Sequence, residues 1–274
     1  MKNRTCGDYS NIPFQSLVFF LTATFLLTWG ILGFYMFLPE KMTQIFGQLT
    51  GNHPLFFLAV YSPAISAFII VVYYKGITGF RDYLKRIFIW RCSVLWYLFL
   101  IIGIPLIFYT GALWKGNLFN TAFAFDSFNS LLTALLLAAI KGPVEEFGWR
   151  GFLQPLFQRK ISPVWTGIII GIIWGFWHLP AFLLSGTEQS TWSFAPFFAG
   201  TIAISLIMTQ LFNSSGGSIL LAGLMHFQLM NPIWPDAQPY DTYILALFAI
   251  VLIFVKRKDM FSRQSGVKDI LIAN

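Results

Sequence analysis

Four ionisable side chains stand where charge is costly. The segment Lys141-Gly-Pro-Val-Glu145-Glu146-Phe-Gly-Trp-Arg150 follows the apolar run 131–140 and continues into the apolar stretch 151–157. Each of these groups costs about 2.5–3.5 kcal/mol at the centre of a lipid-embedded helix on insertion scales, so neighbours must compensate it. Read as a helix, Glu146 and Arg150 lie four apart on one face, in the favourable order for an ion pair. Glu145 points away from that face, and a carboxylate in an apolar cavity suits the removal of a proton from water. Two of the three histidines, His178 and His226, also fall in apolar stretches, at 172–180 and 219–232. Together with Glu145 they make a Glu/His set that could activate water, with or without a metal. A purely structural alternative exists. Lys141 and Glu145 are also four apart, so two ion pairs would account for all four charges, and each histidine alone could be a hydrogen-bonded packing residue.

The elements that must position these groups are membrane spans. The chain has 274 residues, 57% hydrophobic and only 11% charged, with mean hydropathy +0.68. A soluble domain carries about 25% charged residues. Stretches of roughly 20 apolar residues suffice to cross a bilayer. Eight are expected, at 14–38, 54–74, 95–114, 129–157 (interrupted), 163–185, 192–212, 217–233 and 241–255, giving an all-α, polytopic membrane protein. Its site would lie in spans four to seven. One integral membrane domain over 1–274 is expected, with the chemistry concentrated in 129–233. Gly142 and Pro143 predict a helix break just before the carboxylates. The first span is too long for a cleaved signal peptide.

The basic residues fix an orientation. With both termini cytoplasmic, the inner segments hold fourteen of the eighteen Lys and Arg residues, the outer loops only Lys41 and Lys115, and the membrane Lys141 and Arg150. That asymmetry is the positive-inside pattern. It accounts for the net charge of +7 through topology and anionic lipid, and nucleic acid is not needed as a partner. Cys6 and Cys92 both fall on the inner side, where free thiols are expected. The stretch 75–91 is basic and amphipathic, and predicts a short helix along the inner interface, with an ordinary basic loop as the alternative. The tail after Val255 reads as charged and frayed.

Three patterns taken together resemble a known family. Glu145-Glu146-Phe-Gly-Trp-Arg150 resembles the EExxxR motif of the CAAX-prenyl-protease and bacteriocin-processing family of intramembrane proteases. Trp174-Gly-Phe-Trp-His178 resembles its FxxxH motif with Trp in the Phe position, and His226 resembles the histidine of its HxxxN motif. The resemblance spans about 129–233. It implies that Glu145 and His178 activate the attacking water, that Glu146 pairs with Arg150, and that His226 with an Asn stabilises the oxyanion. Met230 stands at the expected Asn position and Asn231 one place further on, so Asn231 would need a local bulge, and Gln228 is another possible donor. If a metal such as zinc is bound, Glu145, His178 and His226 are its candidate ligands. The substrate implied is a peptide or lipidated protein in the bilayer: a prenylated CAAX tail, a bacteriocin leader or a membrane-anchored regulator. A bacterial cell membrane is the implied setting. Two other classes compete: a non-catalytic relative acting as an immunity or scaffold protein, and a proton-coupled transporter using the same carboxylates and histidines as a relay.

Overall fold

A computed structural model describes residues 12–118 and 125–272. Cys6 and two of the fourteen inner basic residues counted above, Lys2 and Arg4, lie outside the described residues. Every regular element described is helical. The chain runs through α1 (Ser16–Phe37), α2 (Ser62–Leu84), α3 (Val94–Lys115), α4 (Phe128–Glu146), α5 (Pro163–Trp177), α6 (Phe194–Ser214), α7 (Ile219–Leu229) and α8 (Tyr240–Val255). α1, α2, α3, α5 with its continuation Leu179–Leu183, and α6 are long and apolar enough to cross a membrane, while α7 and α8 are shorter apolar helices. Large apolar side chains such as Val18, Leu26, Ile101, Leu106, Leu247 and Phe254 remain exposed on the outside of the bundle. That is the surface a lipid-facing helix presents, and the protein is a polytopic integral membrane protein.

The helices that carry the site approach one another closely because glycines face their partners. A Cβ placed on Gly171 of α5 would lie 2.5 Å from the Ile202 Cα on α6. Small residues at such contacts let backbones touch where no hydrophobic force acts between helices in lipid. Buried hydroxyls join α1 to α2: Thr24 bonds Ser66 at 3.1 Å, and Thr28 lies 2.6 Å from Ser62 while donating to the Ala59 carbonyl at 2.8 Å.

Three expectations need correction. The helix does not break at Gly142-Pro143; α4 passes through Pro143 and stays helical to Glu146. The irregularity comes afterwards, as a π-helical stretch Phe147–Leu153 that leads into Gln154–Gln158. Proline's lost donor is tolerated within a membrane helix whose neighbours resatisfy the backbone. The basic stretch 75–91 is partly a continuation of α2, bent at Gly76, whose φ of 63° is a left-handed value that glycine adopts without strain. Beyond the bend, Phe80, Leu84 and Ile87 turn inward and Arg81 and Lys85 outward, but Arg86 is buried.

The tail is not frayed. Arg86 donates from Nε to the Ile270 carbonyl at 3.0 Å, from Nη1 to Gly217 at 2.9 Å, and from Nη2 to Asp269. Arg159 donates to the Lys268 carbonyl at 3.0 Å and to Ile12 at 2.7 Å. Ile270 and Leu271 are almost fully buried in the core. Hydrogen bonds from a charged donor contribute about 1.5–3 kcal/mol each. Arg86→Ala should therefore lower the melting temperature of the detergent-solubilised protein well below that of Arg81→Ala, whose side chain is exposed. Equal melting of the two variants would show that the tail is not held by Arg86.

Candidate active site

α4 ends at the two carboxylates, and each has a different set of neighbours. Glu145 Oε2 accepts the indole N–H of Trp149 at 3.2 Å, one turn further along the same helix, and that of Trp174 on α5 at 2.9 Å. Glu146 is fully buried. Its Oε2 lies 3.2 Å from Arg150 Nη1, and its Oε1 accepts from His226 Nδ1 at 2.6 Å. The expected pairing of Glu146 with Arg150 thus forms, but the same carboxylate also orients His226. Arg150 is fully buried too, and its guanidinium stands 5.3 Å above the Trp174 ring. Its Nε, Nη1 and Nη2 make no hydrogen bond among the described residues, so the ion pair and the ring face are the contacts that compensate its charge.

His178 sits where α5 gives way to Leu179–Leu183. Its Nδ1 donates to the Trp174 carbonyl at 2.8 Å. In the neutral ring that leaves Nε2 as an acceptor. The ring is packed edge-on against Trp174, Trp177 and Phe197, at 5.4, 4.7 and 5.1 Å between centroids. Trp177 is held from the far side by its own N–H, which donates to Thr28 at 2.8 Å, so α1 braces the histidine's support.

Glu145, His178, His226 and Asn231 line one cavity of about 540 Å³, as Lys141 does; Glu146 and Arg150 stand behind its wall. Lys141 Nζ donates to Asn52 Oδ1 at 2.9 Å and stands 5.3 Å from the Phe57 ring centroid. α7 ends at Leu229, and Met230 leaves the helix with φ −106° and ψ 8°, which brings Asn231 to the cavity. Asn231 Nδ2 donates to Gln228 Oε1 at 3.0 Å, and Gln228 Nε2 donates to the Leu100 carbonyl at 2.8 Å. Gln228 is thus committed to α3 and is not a free donor for the site.

Two groups of residues had no part in the expected site. The first is Trp149 and Trp174, whose N–H groups converge on Glu145. The second is Gly142. A Cβ there would lie 2.6 Å from His226 Nε2 and would also clash with Met230 Sδ, so this glycine makes room for the His226 ring. Gly142→Ala should push His226 off Glu146 and reduce activity more than it reduces melting temperature. Paired activity and melting measurements check this, and an unchanged rate would show that the His226 position is not critical.

Among the described residues, no group of three or more His, Cys, Asp or Glu side chains is arranged to hold a metal ion. Nδ1 of each histidine is bonded to the Trp174 carbonyl or the Glu146 carboxylate, and both indoles meet Oε2 of Glu145, so the two Nε2 atoms and Glu145 Oε1 are the positions that would hold a metal. No step below is routed through a metal.

Comparison with known proteins bears on this same region. Residues 127–231 match the family model described as type II CAAX prenyl endopeptidase Rce1-like. A curated relative, CAAX prenyl protease 2 of Methanococcus maripaludis, is 31% identical over 157 residues, covering 53% of this chain and 57% of the relative. The chain thus spans a little over half the length of that relative. The matched segment runs from the residue that caps α4 to Asn231 and contains every residue singled out above for the chemistry. Through this segment the chain is similar to the Rce1-like type II CAAX prenyl endopeptidases.

Proposed function

We propose that the protein is an intramembrane endopeptidase that hydrolyses a peptide bond with a water activated by Glu145 and His178. The observation that carries this reading is the convergence of Glu145, His178 and His226 on one cavity, with Glu146 and Arg150 buried behind it as a fixed support. Glu145 takes a proton from water as the oxygen attacks the scissile carbonyl, and that proton then goes to the leaving amine. His178, its Nδ1 fixed by the Trp174 carbonyl, offers Nε2 to the same water. His226, when protonated at Nε2 with its Nδ1–H held by Glu146, and the Asn231 amide would donate to the carbonyl oxygen as charge develops on it. The indoles of Trp149 and Trp174 aim the Glu145 carboxylate and limit its rotation, a preorganisation that lowers the reorganisation needed in the transition state. The relative's printed name makes a prenylated protein tail one candidate substrate, beside a leader peptide or an anchored regulator.

The test is direct. Purified protein in detergent is incubated with a proteome-derived peptide library beside Glu145→Ala. Peptides cleaved by the wild type and not by the variant support hydrolysis at this site. Absence of any Glu145-dependent cleavage would favour a non-catalytic or transport role.

A further inference from the structure

A row of buried amides links the segment that carries the carboxylates to the tail of the chain. Gln154 and Gln158 follow Arg150 at successive four-residue steps, and both are fully enclosed in the bundle. Gln154 Nε2 donates to the Thr209 carbonyl and to Asn213 Oδ1 on α6, both at 3.3 Å. Gln158 Nε2 donates to Asn213 Oδ1 at 3.0 Å, and Asn213 Nδ2 returns a bond to Gln158 Oε1 at 2.7 Å. The tail completes the row. The Val267 N–H donates to Asn213 Oδ1 at 3.1 Å, and its carbonyl accepts from Gln158 Nε2 at 2.9 Å. With the Arg159 and Arg86 contacts described above, the consecutive carbonyls of Val267, Lys268, Asp269 and Ile270 each accept a side-chain donor. A Cβ on Gly266 would lie 2.8 Å from Gln158 Oε1, so this glycine lets the tail backbone come so close.

Polar side chains are costly to bury in a membrane bundle, so a row of them calls for a role. Its position supplies one. The π-helical stretch Phe147–Leu153 lies between the carboxylates and Gln154. Such turns are rare and short, and their surroundings must hold them. The buried Tyr83 hydroxyl grips the Phe147 carbonyl at one end, and the amide row grips Gln154–Gln158 at the other. Arg150 lies between the two grips. It makes no hydrogen bond among the described residues, so the backbone that carries it, with the Trp174 ring, sets where its guanidinium stands against Glu146. Glu146 in turn holds His226 Nδ1. Gln154, Gln158, Asn213 and Val267 do not line the cavity.

We propose that Gln154, Gln158 and Asn213 are positioning residues for hydrolysis, and that docking of the tail at Val267 sets them. With the tail undocked, the π-helical stretch shifts, Arg150 moves against Glu146, and His226 loses its place in the cavity. This rests on the hydrolytic reading above and adds the element that holds the site in register. The tail acts on the rate without touching the peptide.

Two variants test it. Gly266→Val wedges the tail off Gln158 and leaves the amides and the cavity in place, and Asn213→Leu removes the hub of the row. Both are assayed on a peptide from the library experiment, well below the melting temperature of each variant. In each, kcat should fall by about 10–100-fold, the scale on which misplacement of a site is felt, with KM within about two-fold of wild type. A chain ending at Ser265 should be as slow, and the added peptide of residues 266–274 should restore its rate saturably. Where that chain fails to fold, Gly266→Val carries the test alone. Nitrogen NMR of histidine-labelled protein reads the site directly. The His226 signal, identified by its loss in His226→Gln, should move in Gly266→Val toward its place in Glu146→Gln. A raised KM at unchanged kcat, a loss of rate no larger than the unfolded fraction, or an unmoved His226 signal overturns the proposal and leaves the hydrolytic reading intact. If the wild type shows no Glu145-dependent cleavage, the hydrolytic reading falls instead, and the His226 signal still decides whether tail docking reaches the site.

Discussion

Glu145→Gln should abolish peptide hydrolysis and leave melting nearly unchanged. The amide keeps the size of the carboxylate, and its oxygen still accepts from Trp149 and Trp174. What is lost is the ability to take a proton from water. A positioned general base accounts for about 10²–10⁴-fold in rate, so initial rates on any peptide from the library assay should fall by at least that factor. Thermal melting of the same preparations supplies the control. The assignment fails if Glu145→Gln unfolds the protein while Glu146→Gln stays stable and active. It also fails if Lys141→Met destabilises as much as Arg150→Met, because Glu145 would then be held in a structural pair with Lys141.

Glu146→Gln should act in two ways, because Glu146 has two partners. It leaves Arg150 buried without its counter-charge, a loss of about 3–5 kcal/mol by analogy with other broken buried pairs. It also weakens the short contact that orients His226. The double variant Glu146→Gln with Arg150→Met removes the stranded charge and should recover much of the melting temperature. Activity should stay low, since His226 still lacks its carboxylate. Recovery of both stability and rate would show that Glu146 serves only to neutralise Arg150. Unchanged melting in the single variant would show that the pair contributes nothing to the fold.

Much of this arrangement was legible in the chain itself, for a physical reason. The spans announce themselves because lipid demands long apolar helices. The Glu146–Arg150 pair is legible because a four-residue helical offset fixes the distance between two side chains whatever surrounds them. The π-helical turn after Glu146 was not legible, nor was the role of Trp174, whose N–H meets Glu145 only after α4 and α5 have packed. Trp149 could have been found, since it follows Glu145 by one helical turn. Gly142 with Pro143 suggested a helix break; the reason for the glycine is a histidine 84 residues further along the chain. The tail misled most. Its charges point to solvent, and the apolar Ile270 and Leu271 are too few to announce a docking segment.

The clasp of Arg86 on the carbonyls of Asp269 and Ile270 also bears on the order of assembly. Arg86 follows α2, whereas Asp269 and Ile270 follow α8. During biosynthesis this guanidinium must therefore wait, in the headgroup layer where a long basic side chain stays hydrated, until six further segments have crossed or entered the bilayer. Arg159 likewise waits for the Lys268 carbonyl, although its other acceptor, Ile12, precedes it in the chain. A ribosome-bound intermediate can insert its helices, but its inner end closes only when the tail arrives. That makes closure of this end a late step in maturation, after insertion itself.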